Sequence, residues 1–163
     1  DNIILIGMPG AGKSTVGVLL AKTLGYAFLD TDLVIQQREG ALLQPLVDSL
    51  GVEAFLDVEA DAICSVECRG TVIAPGGSAV CRERAMSHLR ALGRIVYLHL
   101  PLEELERRLS NISTRGIAMA PGETLADLFA RRAPLYRNYA DLTVDVGRQS
   151  LEETVALVLR ALR

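Results

Sequence analysis

An apolar run, Ile3-Ile4-Leu5-Ile6, passes directly into Gly7-Met8-Pro9-Gly10-Ala11-Gly12-Lys13-Ser14-Thr15, and an amphipathic helical pattern follows. No other feature constrains the chain as strongly. A buried strand, a tight glycine-rich loop and a helix start must succeed one another within a few residues. G-x-x-x-x-G-K-S in that setting reads as a P-loop. Its glycines let the backbone curl until the N–H groups point at phosphate oxygens, and the helix that follows adds positive charge where the anion sits. A plain Gly-rich turn needs neither the lysine nor the serine. The segment Gly10, Ala11, Gly12, Lys13, Ser14 and Thr15 is therefore expected to cradle nucleotide phosphates. Lys13 would reach the β- and γ-phosphates, and the Ser14 hydroxyl would ligate Mg²⁺.

The rest of the chain suits that opening. Its 163 residues fit a single P-loop domain over 1–163, half of them hydrophobic, with enough length for a substantial core. Strand and helix patterns alternate, which implies an α/β fold with a parallel sheet covered by helices on both faces. A net charge of −3 offers no basic footprint for nucleic acid. No apolar run approaches the ~20 residues of a membrane span. The chain opens on a buried-strand pattern and not on a signal peptide, so a cytoplasmic enzyme with a trimmed start is expected. Cys64, Cys68 and Cys81 are an odd set without zinc-site spacing, and read as reduced thiols. His99 alternates with apolar neighbours and reads as a strand-end residue.

Strands are expected at 3–6, 27–29, 71–74, 94–99 and 141–145, and helices at about 13–24, 31–38, 43–49, 53–67, 82–92, 102–109, 124–137 and 150–162. Gly25, Gly51, Gly70 and Gly93 stand where helices should stop. The stretch 111–123, with Arg115-Gly116 and Pro121-Gly122, has no sustained period and reads as a mobile lid.

Three further groups carry chemistry. Asp30-Thr31-Asp32 closes the second strand at the sheet edge where open α/β folds bind ligands. Asp30 could hold Mg²⁺ and Asp32 could orient or deprotonate a hydroxyl; an N-cap is the other reading, and both roles can coexist. Pro75-Gly76-Gly77-Ser78 ends the third strand, where paired glycines either admit a ligand or make a simple turn. Among the arginines, Arg108, Arg115 and Arg132 stand out. A lid arginine can meet transition-state charge, and arginine grips carboxylates bidentately.

With these residues in hand, the chain resembles the shikimate kinase family of P-loop, nucleoside-monophosphate-kinase-like proteins along nearly its whole length. The resemblance rests on GMPGAGKST, LDTD with Ile35, Phe55 with Glu59, Gly76-Gly77, Arg115, Arg132-Ala133-Pro134-Leu135-Tyr136 and Ala140-Asp141. It implies a five-stranded parallel sheet of order 2-3-1-4-5, ATP and Mg²⁺, a small-molecule acceptor, a monomer, and a step in amino-acid biosynthesis. Lys13, Asp32 and Arg115 would be the catalytic residues, and Ser14 with Asp30 the metal-side pair. Asp32, Gly76, Gly77 and Arg132 would meet the acceptor, beside a substrate-binding helical segment of about 31–67. Arg115 would bridge the ATP phosphates, Arg108 would lie against adenine, and Arg148 falls one position from the family's second adenine-side arginine.

The chain also departs from the family pattern. Leu56 stands where the family has the arginine of Phe-Arg-x-x-Glu, Ser78 where it has a third glycine, and Gly116-Ile117 where it has Pro-Leu. Without that arginine, Glu59 and Asp57 are expected to leave the acceptor pocket acidic. Shikimate is the first expectation for the acceptor. The alternatives are an amine-bearing hydroxylated metabolite such as a hydroxy amino acid, or a non-catalytic nucleotide-binding module.

Overall fold

The computed structural model describes residues 1–109 and 117–163. Five strands, β1 (Asn2–Ile6), β2 (Ala27–Asp30), β3 (Thr71–Ala74), β4 (Gly93–His99) and β5 (Leu142–Asp145), form one sheet of order β2-β3-β1-β4-β5. Every pairing is parallel, with Ile4 opposite Ile73 on one side and Ile95 on the other. β1 is buried along its whole length, as a central strand covered on both faces must be, and that is why Ile3 to Ile6 are continuously apolar.

Helices α1 (Lys13–Leu24), α2 (Thr31–Glu39), α3 (Leu43–Leu50), α4 (Val52–Cys64), α5 (Glu83–Leu92), α6 (Leu102–Leu109), α7 (Leu125–Tyr139) and α8 (Leu151–Ala161) complete the described chain. A main core joins both sheet faces to these helices. A second apolar cluster, including Ile35, Leu46, Val47, Phe55 and Leu56, ties α2, α3 and α4 together beside the sheet. At the far end of the sheet, buried Asn2 donates through Nδ2 to the carbonyls of Cys68 (2.9 Å) and Leu92 (3.0 Å) and accepts from Thr71 N (3.0 Å). One polar side chain thus satisfies three backbone groups that the ladder leaves over.

Most expected elements are present within one or two residues, and three points differ. Helix α4 ends at Cys64, three residues before the expected limit, and Ser65 closes it. Gly70 therefore belongs to the bend before β3 and stops no helix. A short 3₁₀ segment, Gly77–Cys81, follows β3, where a glycine pair and only five residues leave no period to read. Helix α7 runs on to Tyr139 with Pro134 inside it.

Candidate active site

The carboxyl ends of β1, β2 and β3 open onto a cleft of about 360 Å³. The P-loop forms one wall. Gly10 and Gly12 take φ of 85° and 90°, a left-handed backbone that a side chain would strain. Gly12 caps α1 with no side-chain bond, and the first turn of α1 holds no acidic residue. The helix therefore offers its first N–H groups and its positive end to the cleft. An anion suits that cradle. Lys13 Nζ donates to the carbonyls of Gly7 (2.8 Å) and Met8 (2.9 Å). Burial lowers its pKa to about 8, against the pull of Asp32, so it is still a cation at neutral pH.

Asp30 engages both its oxygens. Oδ1 accepts from Asp32 N (2.9 Å) and caps α2, while Oδ2 accepts from the Ser14 hydroxyl (3.1 Å). The cap thus fixes the carboxylate against the P-loop serine. The described residues contain no cluster of three or more His, Cys, Asp or Glu that could hold a metal. A Mg²⁺ bound largely through phosphates and water needs only one or two protein oxygens, and Ser14 with Asp30 supplies such a set. Asp32 lines the cleft. Burial, with repulsion from Asp30, pushes its carboxyl up to about 6, and Lys13 opposes the rise.

The loop after β3 is the facing wall. Gly76 N donates to Thr31 Oγ1 (3.3 Å), and the Tyr136 hydroxyl donates to Gly77 O (2.6 Å). A Cβ on Gly76 would stand 2.7 Å from Glu59 Oε2 and 3.1 Å from Asp32 Oδ1; one on Gly77 would stand 3.1 Å from Arg132 Nη1. The glycines are there because carboxylates and a guanidinium press against the backbone. Arg132 is 1% exposed; its Nη2 donates to Ala118 O (3.0 Å), while its Nε, also buried, has no hydrogen-bond partner among the described residues. An unpaired buried guanidinium N–H is costly, and this one belongs to a residue that lines the cleft.

Glu59 is buried, and its Oε1 accepts from the Ser78 hydroxyl at 2.6 Å. Burial pushes its carboxyl up to about 7, and the Ser78 bond limits the rise. The native state then holds a proton that the unfolded chain, with the ordinary value of 4.5, has released. Stability contributed by that proton is present at low pH and falls as pH climbs from the unfolded value through about 7. Glu59→Gln removes this dependence. Relative to wild type it should be stabilised by about 2–3 kcal/mol more at pH 8 than at pH 5. Denaturant unfolding at the two pH values measures the difference; an equal effect at both would show that the carboxyl titrates normally.

Asp57 is a correction. It was expected beside Glu59 in the acceptor pocket, yet it lies exposed on α4 and accepts from Arg82 Nε at 2.9 Å, outside the cleft lining. Two helical steps turn a side chain by ~200°, so Asp57 and Glu59 face opposite ways. Leu56 is also absent from the cleft lining and packs in the second apolar cluster. The carboxylates that line the cleft are Asp30, Asp32 and Glu59, with Asp30 engaged by Ser14; Lys13 and Arg132 line the same cleft as cations.

On the nucleotide side, Arg108 donates to Gly10 O (3.3 Å) and to Gly147 O (3.0 Å), joining the P-loop to the segment after β5. Its Nε donates to Glu104 Oε1 (3.3 Å), which also accepts from Arg107, and these bonds hold the Glu104 carboxyl down near 2. Arg148 is largely exposed, with Nε 3.8 Å from Glu104 Oε2. Glu104 thus gathers the arginines that the sequence singled out only one by one. Arg115 and Gly116, with the rest of 111–116 at the start of the expected lid, lie outside the described residues. Ser78, Thr31, Glu104 and Tyr136 were given no role of their own from sequence: Ser78, Thr31 and Tyr136 bond partners 19, 45 and 59 residues away, and Glu104 pairs with arginines on its own helix as many helix glutamates do.

Comparison with known proteins agrees with this architecture. The family model described as shikimate kinase matches residues 9–163. A shikimate kinase of Pseudomonas aeruginosa (strain LESB58) is 41% identical over 167 residues, covering 99% of this chain and 96% of the relative. Among solved structures, shikimate kinase from Acinetobacter baumannii in complex with shikimate superposes with a TM-score of 0.88 at 31% identity, covering 99% of this chain and 92% of that one. Shikimate kinase from Aquifex aeolicus gives 0.83 at 31% identity, with 99% and 96% covered. With the sheet order, the P-loop and the cleft geometry already in agreement, the chain belongs to the shikimate kinase family.

Proposed function

We propose that this chain transfers the γ-phosphoryl group of ATP to a hydroxyl of shikimate, with Mg²⁺ as the accompanying ion. One observation carries the reading: a single cleft joins a P-loop helix with no side-chain cap to a buried arginine, Arg132, whose Nε has no hydrogen-bond partner among the described residues. The first suits a polyphosphate and the second suits a carboxylate, so the cleft fits a nucleotide at one end and an acidic acceptor at the other. The A. baumannii relative, whose structure contains shikimate, supports the same acceptor.

In this reading the N–H groups of residues 10–15 and the Lys13 ammonium hold the phosphates and meet charge that grows on them during transfer. Mg²⁺, bound beside Ser14 and Asp30, would neutralise phosphate charge. Asp32 accepts a hydrogen bond from the acceptor hydroxyl and orients it. With its carboxyl pushed up to about 6, it is mostly ionised at neutral pH and is a better proton acceptor than an ordinary aspartate. Gly76 and Gly77 admit the acceptor against bare backbone, and Arg132 takes its carboxylate. Arg108 and Arg148 serve the nucleotide side, and Arg115 completes the phosphate contacts by family resemblance.

An amine-bearing acceptor needs an acidic pocket. Asp57 is committed to Arg82, Glu59 is held by Ser78, and Arg132 lines the cleft, so that reading loses its basis. A silent nucleotide-binding module would have no use for Asp32 and Arg132 across the cleft from the P-loop. A coupled assay of ADP release tests the proposal. Release should require ATP, Mg²⁺ and shikimate together; release that shikimate does not accelerate would overturn it.

A further inference from the structure

Glu59 and Arg132 flank adjacent glycines. Glu59 Oε2 approaches Gly76 and Arg132 Nη1 approaches Gly77, both side chains are buried, and their charges act on each other. Such a pair would ordinarily close into a salt bridge, yet none forms between them among the described residues, and Arg132 Nε is left without a partner. Glu59 instead has a different partner. The Ser78 hydroxyl, on the 3₁₀ segment after β3, donates to Oε1 at 2.6 Å, and Ser78 is itself buried.

We propose that Ser78 is a specificity-determining positioning residue: by tethering Glu59 it keeps that carboxyl off Arg132, so that the guanidinium stays open to the acceptor's carboxylate. The inference rests on the reading of Arg132 as the acceptor's carboxylate partner. Without the tether, a desolvated Glu59 turns to the cations that already act on it, Arg132 first and Lys13 after it, and Lys13 is already held by the carbonyls of Gly7 and Met8. Pairing with the guanidinium favours the ionised form, so Glu59 would give up its proton there, and an internal carboxylate would compete with the acceptor's own for the same donors. The contest touches acceptor binding. It leaves the phosphates and the transferring group alone, because Ser78 contacts neither the P-loop lysine nor Asp32 through any described hydrogen bond.

The test is steady-state kinetics of wild type, Ser78→Ala, Ser78→Gly, Arg132→Lys and the double variant Ser78→Ala/Glu59→Gln, each checked for folding by circular dichroism. Ser78→Ala and Ser78→Gly should raise the KM for shikimate by about tenfold or more, with kcat within about twofold and the KM for ATP unchanged. The double variant should return the shikimate KM to within about threefold of wild type, because a neutral amide does not compete as an anion for Arg132. Loss of packing alone would not be rescued by a second substitution. An unchanged shikimate KM in both Ser78 variants, with a raised KM in Arg132→Lys, would overturn the inference while leaving the role of Arg132 standing. Failure of the double variant to rescue would overturn it too. An unchanged KM in Arg132→Lys would overturn the underlying reading, and the inference with it.

Discussion

Lys13→Ala is expected to lower kcat by about 10³-fold or more while the protein stays folded. The ammonium sits inside the P-loop on two of its carbonyls, and burial has already lowered its pKa to about 8. That shift means the native fold bears a cost for the charge. Removing the charge should therefore not weaken folding, and it should remove the one cation that the P-loop itself supplies to the phosphates. Thermal unfolding followed by circular dichroism separates the two effects. A folded Lys13→Ala protein that releases ADP at the wild-type rate would exclude this loop from the chemistry.

The second large effect is expected at the other end of the cleft. Arg132→Ala should raise the KM for shikimate about 100-fold, with a much smaller change for ATP. Arg132 donates from Nη2 to Ala118 O and interacts with the Tyr136 hydroxyl, while its buried Nε has no hydrogen-bond partner among the described residues. A carboxylate there would satisfy a donor that the folded protein leaves unmet. Arg132→Lys keeps the charge and loses the planar fork, so its KM should fall between those of wild type and Arg132→Ala. Equal KM values for all three proteins would show that the acceptor's carboxylate is bound elsewhere.

The sheet and the phosphate cradle were legible in the sequence because their signals are local. Ile3-Ile4-Leu5-Ile6 is buried on both faces and reads as such, and a P-loop is a contiguous motif whose every residue acts within a few positions of its neighbours. The acceptor pocket was legible only in part. Asp32, Gly76, Gly77, Glu59 and Arg132 do converge on one cleft. The pairing that sets their charge state, Ser78 with Glu59, spans 19 residues, and no local pattern announces it. Asp57 was misread for a reason the helix period could have exposed, since it stands two positions from Glu59 and so faces the other way, toward Arg82. Leu56 likewise contributes to packing between α2, α3 and α4, and the altered residue there does not itself touch the cleft. The significance of the departures from the family pattern lies in how two of them combine. The carboxyl of Glu59, three residues beyond Leu56, is bonded to a serine that the sequence reading treated as an unrelated change.

The central claim is that an acidic, hydroxyl-bearing acceptor receives the phosphoryl group, and a competition measures it most directly. Wild-type protein, Mg²⁺ and limiting ATP are mixed with shikimate, homoserine, threonine and quinate at equal concentration, and the products are identified by ³¹P NMR and mass spectrometry. The account predicts a phosphate ester of shikimate as the dominant product, with no phosphorylated amino acid above background. A phosphorylated hydroxy amino acid as the main product, or inorganic phosphate alone, would contradict it.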